Sequence, residues 1–189
     1  VILIFHAEIT LNYAAFEGVR SGTLNNGRFD AVKEGLARGL APLYSYFDPD
    51  DETDGAPLNQ VAAFQAARDK IFREFDDPEH LVRIERLNPT EETFKVFAPD
   101  GAIPNDNLRF RSASSQNKAG VSIQGANLLH LRFTYCYPLY VPFVNRLIGA
   151  YSKRDGDPIC SGKEPRIPLT AVAAMRMQSP PQRSDGYQG

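Results

Sequence analysis

Residues Asn127–Tyr137, NLLHLRFTYCY, alternate with a period of two: Leu129, Leu131, Phe133, Tyr135 and Tyr137 fall on one side, His130, Arg132, Thr134 and Cys136 on the other. Successive side chains of an extended chain point to opposite faces, so this pattern predicts a strand. Downstream, RIPLTAVAAMRMQ (166–178) repeats it, with Ile167, Leu169, Ala171, Ala173, Met175 and Met177 on one side. Upstream, LVRIERL (81–87) and TFKVFA (93–98) flank the turn-like NPTE and predict an antiparallel hairpin, while LRFRS (108–112) predicts a further short strand.

Before residue 80 the period is helical. Residues 1–21 predict one continuous helix, with Ile2, Phe5, Ile9, Tyr13 and Phe16 along one face. Ala14, Gly18 and Gly22 recur four apart and would let another backbone approach closely; the simpler alternative makes Gly22 a helix C-cap. A second helix is expected from about Arg28 to Tyr46, with Phe29, Val32, Leu36, Leu40, Leu43 and Phe47 as its apolar stripe. Gly35 and Gly39 within it each weaken a helix by roughly 1 kcal/mol relative to Ala, so they are expected to serve packing. A third helix, opened by Pro57 and ending near Phe75, would turn Leu58, Val61, Phe64, Ala67, Ile71 and Phe75 inward. Helices first and strands second argue for an α+β fold with an antiparallel sheet. The expected organisation is an N-terminal helix and break over 1–27, a globular α+β domain over 28–179 and a loose polar tail over 180–189.

The 189 residues suffice for one domain with a sizeable core. Hydrophobic residues are 42% and charged residues 23%, a globular balance, and the net charge of −2 offers no electrostatic platform for nucleic acid. FTYCYPLYVPFVNRLIGAY (133–151) carries Pro138, Pro142, Asn145 and Arg146 and is no membrane helix.

Coherent catalytic chemistry is hard to find. His6, His80 and His130 lack metal-ligand spacing. Cys136 and His130 lie on the same strand face but six residues apart, roughly 20 Å along a strand, too far to act together. GDPICSGKE (156–164) misses the phosphate-loop spacing, and GVSIQG (120–125) misses the nucleophile elbow. The acidic stretch DPDDETDGAP (48–57) opens like a calcium loop, but Val61 stands where a closing Glu belongs. No cofactor or metal is expected, and no enzyme is supported. The two cysteines say more. Cys136 projects from the strand face opposite Phe133, and Cys160 sits in the polar loop KRDGDPICSGKEP (153–165), where a lone thiol has little packing reason to be. A Cys136–Cys160 disulfide explains both positions; two free thiols are the alternative.

Three stretches together, ITLNYAAFEGVRSGTLNNG (9–27), IQGANLLHLRFTYCYPLYVPFVNRLI (123–148) and RIPLTAVAAMRMQSP (166–180), resemble the TadE-like family of tight-adherence (Flp-type) pilus assembly proteins. The match covers roughly half the chain and is one of texture over length, with no catalytic signature in it. The resemblance implies a pilin-like fold, an apolar N-terminal helix in the inner membrane and a globular part outside the cytoplasm. Val1, Ile2, Leu3, Ile4 and Phe5, an unbroken apolar run, would be the lower end of that helix and, with Ile9, would contact membrane or partner. The implied partners are other pilus assembly proteins and pilins, met by packing at small residues such as Ala14 and Gly18. Two other readings remain open: a free-standing periplasmic domain that binds a ligand at the aromatic YPLYVPF (137–143), and a hydrolase using Cys136 or a serine of SASSQ (112–116).

Overall fold

Helices α1 (Ile2–Leu24), α2 (Phe29–Tyr44) and α3 (Gln60–Phe75) come first. Strand β1 (Val82–Asn88), helix α4 (Glu91–Phe97), a 3₁₀ turn (Leu108–Phe110), helix α5 (Ile123–Ala126) and strands β2 (Leu128–Pro138) and β3 (Arg166–Arg176) follow. This computed structural model describes residues 2–44, 60–75, 82–114, 117–138, 160 and 166–187. The class is α+β: a long N-terminal helix and further helices with a three-stranded antiparallel sheet in the order β1-β2-β3.

The central strand reads as its alternation predicts. Leu129, Leu131, Phe133, Tyr135 and Tyr137 are buried, and α1 packs over β2 and β3 with α2 beside it. Leu11, Val19, Val32, Leu36, Leu40 and Ile71 from the helices join them in one apolar core. On the far face Glu85 lies directly across from Arg132 and pairs with it at 3.4 Å, and with Arg83 at 3.0 Å. Helices on one side and charged cross-strand pairs on the other are what an antiparallel sheet with one covered face requires. Cys136 and Cys160, 24 positions apart in the sequence, form a disulfide with Cα atoms 5.5 Å apart. Both are buried.

Several local expectations are corrected. TFKVFA is helical, not the second arm of a hairpin, and β1 pairs with β2 instead. Thr90 caps α4 by accepting a hydrogen bond from the Thr93 backbone N–H at 3.2 Å, and Glu91 and Glu92 in the first turn suit the positive end of the helix. LRFRS forms a 3₁₀ turn in place of a strand. In α3, Ala67 and Ile71 are buried as expected, but Phe64 faces solvent; Leu58 and the Val61 side chain lie outside the described residues, as do the acidic stretch 48–57 and His80.

α1 runs past Gly22 to Leu24, so Gly22 is not its cap. The chain reverses through Asn26 and Gly27, both left-handed at φ 59° and 71°, and the Gly27 N–H returns to the Gly22 carbonyl at 2.8 Å. The polar tail, expected to be loose, is fastened to this reversal over its described residues. Ser179 Oγ donates to the Thr23 carbonyl at 3.0 Å, the Gln182 N–H to the Asn26 carbonyl at 2.8 Å and the Tyr187 hydroxyl to the Gly27 carbonyl at 2.8 Å. The N–H of Phe29, which opens α2, donates to Ser184 Oγ at 3.1 Å. Helix ends leave backbone groups without intrahelical partners, and the tail supplies them.

Candidate interaction surface

α1 has two faces of opposite character. Ala7, Leu11, Ala14, Ala15, Gly18, Val19 and Gly22 are buried. On the reverse side Ile2, Phe5, Ile9, Tyr13 and Phe16 are 83%, 62%, 51%, 57% and 48% exposed. The apolar face read from the sequence therefore exists as a stripe, and it points to solvent, away from the core.

Geometry at α2 explains why the small residues of α1 are the ones turned inward. A Cβ on Gly39 would stand 2.4 Å from Ala14 Cα, and one on Gly35 would stand 2.5 Å from the Glu17 carbonyl oxygen and 2.9 Å from Gly18 Cα. Such approach is possible only between residues without bulk, so Gly35 and Gly39 of α2 seat Ala14 and Gly18 of α1. Gly22 is closed in the same way by Val32 and Leu129, 2.6 and 2.8 Å from its would-be Cβ. Ala14, Gly18 and Gly22 are thus helix-packing residues, as their spacing suggests, but the helix they meet is the chain's own α2, and they are not available to a partner.

Of the apolar run at the start of α1, Ile2, Leu3 and Phe5 are exposed, Ile4 packs partly against the core, and Val1 lies outside the described residues. No described helix is long and apolar enough to cross a membrane. Polar side chains flank the stripe: His6, Glu8, Asn12 and Arg20 are exposed, and Arg20 pairs with Glu17 at 3.6 Å. Away from α1, the exposed Phe110, at 74%, carries the Arg109 guanidinium 4.4 Å from its ring centre.

Arg86 lies between the rings of Tyr187 and Phe94, at 4.9 and 5.1 Å, and pairs with Glu91 at 3.2 Å. Burial lowers its pKa, and burial raises that of the Tyr187 phenol well above its ordinary value of 10.0, with the nearby Arg86 charge opposing. Sequence reasoning missed this clamp, since neither residue carries any motif. A shallow cleft of about 190 Å³ is lined by Phe94, Lys95, Ala98, Pro99, Gly101 and Arg183. That is smaller than the pockets of roughly 300–1,000 Å³ that hold small ligands, and Arg183 there is paired with Glu91. Most of YPLYVPF lies outside the described residues. In the disulfide Cys136 has no thiol to serve as a nucleophile, while Ser112 and Ser114 sit on an exposed loop. Among the described residues, no group of three or more His, Cys, Asp or Glu could hold a metal ion. Comparisons with protein-family models, curated proteins and solved structures find no match.

Proposed function

We propose that this chain is a non-catalytic, minor-pilin-like component of a tight-adherence pilus system, working through protein contacts made by α1 and the globular surface. One observation carries the proposal: α1 buries its small residues in its own body and holds Ile2, Phe5, Ile9, Tyr13 and Phe16 outward. Large exposed apolar side chains in a continuous row mark a contact surface, because water alone gives no reason to keep them there. A long N-terminal helix laid on an antiparallel sheet suits a pilin-like subunit, and the resemblance of the three stretches to TadE-like proteins points the same way.

On this reading the subunit is held at the inner membrane by an apolar helix continuous with α1, with its folded part in the periplasm. It then joins, or primes, the base of a filament built with other pilins and assembly proteins. The Cys136–Cys160 bridge supports an oxidising location, since structural disulfides persist outside the cytoplasm. Within the assembly the outer stripe meets neighbouring subunits, while Gly18 and its companions keep α1 seated on α2.

The test is genetic. Deleting the gene in the source bacterium should abolish or sharply reduce pili, and the intact gene should restore them. A gene carrying Phe5→Ser, Ile9→Ser and Tyr13→Ser together should give folded protein but few pili. Normal piliation after deletion removes the proposed function.

A further inference from the structure

We infer that the outer stripe of α1 pairs with the same stripe of a second copy, parallel and in register, to form a reversible dimer. The inference rests on the reading of α1 as a contact helix and names one partner for it.

The spacing fits a two-helix seam. Ile2, Phe5, Ile9, Asn12 and Phe16 fall at successive a, d, a, d and a positions of a heptad, and the row spans about 21 Å. Beyond Phe16 the seam closes, because Val19, the next d position, turns into the chain's own core. The five exposed apolar side chains present on the order of 600 Å², judged from side chains of about 150–250 Å² when fully covered. Pairing two stripes would bury about 1,200 Å² in total, the lower end for specific complexes, as expected of a reversible dimer.

The polar residues select the occupant and its direction. A helix lying in a lipid interface carries Lys and Arg beside its apolar face; this stripe is flanked instead by Glu8 and His6, with Arg20 already paired to Glu17. In a parallel pair Asn12 meets Asn12 of the second copy; its amide donates one hydrogen to the Glu8 carbonyl at 3.0 Å, and the other hydrogen can go to the partner amide's oxygen, so the register that aligns the two leaves neither facing an apolar side chain. Glu8 at a g position then faces Tyr13 at the following e position of the second copy, a carboxylate opposite a hydroxyl donor. An antiparallel pair that layers Phe5 on Ile9 sets Asn12 against Ile2 and brings the two Glu8 carboxylates to one edge. Both are unfavourable.

The oligomeric state of the full chain, with its disulfide intact, decides the matter. Sedimentation velocity should show the mass rising with concentration from 21.0 kDa toward twice that value. Phe5→Arg, at an exposed position, should remain monomeric at every concentration, with unchanged circular dichroism. Both native cysteines are bonded, so a cysteine introduced by Phe5→Cys is the sole thiol; mild oxidation should link it to Phe5→Cys of a second copy. A wild-type chain that stays monomeric overturns the inference, whether or not it sediments with phosphatidylglycerol vesicles. So does a dimer that Phe5→Arg leaves intact, or a Phe5→Cys chain that links only to an Ile9→Cys chain, the antiparallel signature. A monomeric wild type whose outer-stripe variants still lose pili would overturn self-pairing and leave the contact function standing.

Discussion

On its inner face α1 presents Ala7, Leu11, Ala14, Ala15, Gly18 and Val19, and on its outer face Ile2, Phe5, Ile9, Tyr13 and Phe16; the inner set is buried and the outer set is not. Size, more than hydrophobicity, separates the two faces. Small residues inside let α1 and α2 approach until their backbones touch, which places dispersion contact along both helices where large side chains would hold the axes apart. The larger apolar area is then left outside, at a position where it serves the fold little. Stability and interaction are thereby assigned to opposite sides of one helix, and substitutions on the two sides should behave differently.

The largest effect is expected where the helices are closest. Gly39→Leu must displace α1 from α2, because even its Cβ falls 2.4 Å from Ala14 Cα. Overpacking ordinarily costs about 1–3 kcal/mol and occasionally more, and a whole side chain between two backbones belongs at or above the top of that range. Urea denaturation should show a midpoint lowered to match, or no folded baseline; Gly39→Ala should fall between this and wild type. A wild-type midpoint for Gly39→Leu would break the distinction between the faces. Gly18→Leu belongs to the same group: the first atom added meets Phe133 and the Val32 carbonyl, both at 3.3 Å, so that variant reports on the core and not on a partner.

Next comes the bridge, whose two cysteines form a buried cluster separate from the core that α1 joins. Replacing Cys136 and Cys160 together by Ala should remove roughly 3 kcal/mol, the chain-entropy expectation for a loop of this length. Combined with Gly39→Ala, the losses should add within about 0.5 kcal/mol if the sites are independent. A clear departure from additivity, measured by the same urea curves, would mean that the bridge helps to seat α1.

The tail supplies a smaller effect with a pH signature. Tyr187→Phe deletes the hydrogen bond to the Gly27 carbonyl, worth about 1 kcal/mol, where α1 turns into α2. Because burial raises the folded-state pKa of this phenol, its contribution is fully present below pH 10, the ordinary value, and is lost as pH rises from there toward the folded-state value. One proton in that window changes stability by about 1.4 kcal/mol per pH unit. The wild-type protein should therefore lose stability more steeply above pH 10 than Tyr187→Phe does, in thermal melts across pH 8 to 11 or so. Parallel melting curves would show that the clamp with Arg86 does not hold the end of the helix.

How legible all this was depended on whether one pattern dominated each segment. β2 and β3 alternate without competition, and α2 carries a single stripe, so their positions could be read directly. TFKVFA satisfies both periods, since Phe94 and Phe97 are three apart while Phe94, Val96 and Ala98 also alternate with Thr93 and Lys95. There the capping signal of Thr90 followed by Glu91 and Glu92 outweighs periodicity in the structure, and it was available in the sequence. α1 is harder, because apolar residues occupy both its faces and only the glycines of α2 decide which goes inside. Gly35 and Gly39 announced close packing without saying against what. The tail was illegible for a different reason: its value lies in meeting backbone groups at Thr23, Asn26 and Gly27 that exist only once α1 and α2 have formed.

The smallest effect on stability is expected on the outer face. Phe5→Ser with Tyr13→Ser removes two aromatic rings that water already covers by half or more, and surface substitutions of this kind usually fall within about ±0.5 kcal/mol. Ser is a somewhat poorer helix former than most residues, but so are Phe and Tyr, so propensity changes little. The urea midpoint should stay close to wild type, and the disulfide should form as before. Apolar contact should nevertheless fall, visible as weaker binding of a hydrophobic dye to the native protein and as lower retention on a hydrophobic column. Set beside Gly39→Leu, this double variant completes the comparison: one changes the fold and not the exposed stripe, the other the stripe and not the fold. If Phe5→Ser with Tyr13→Ser instead destabilised the chain by about 2 kcal/mol, typical of buried-core truncation, the outer face would be part of the chain's own packing. The assignment of stability and interaction to opposite sides of α1 would then fail.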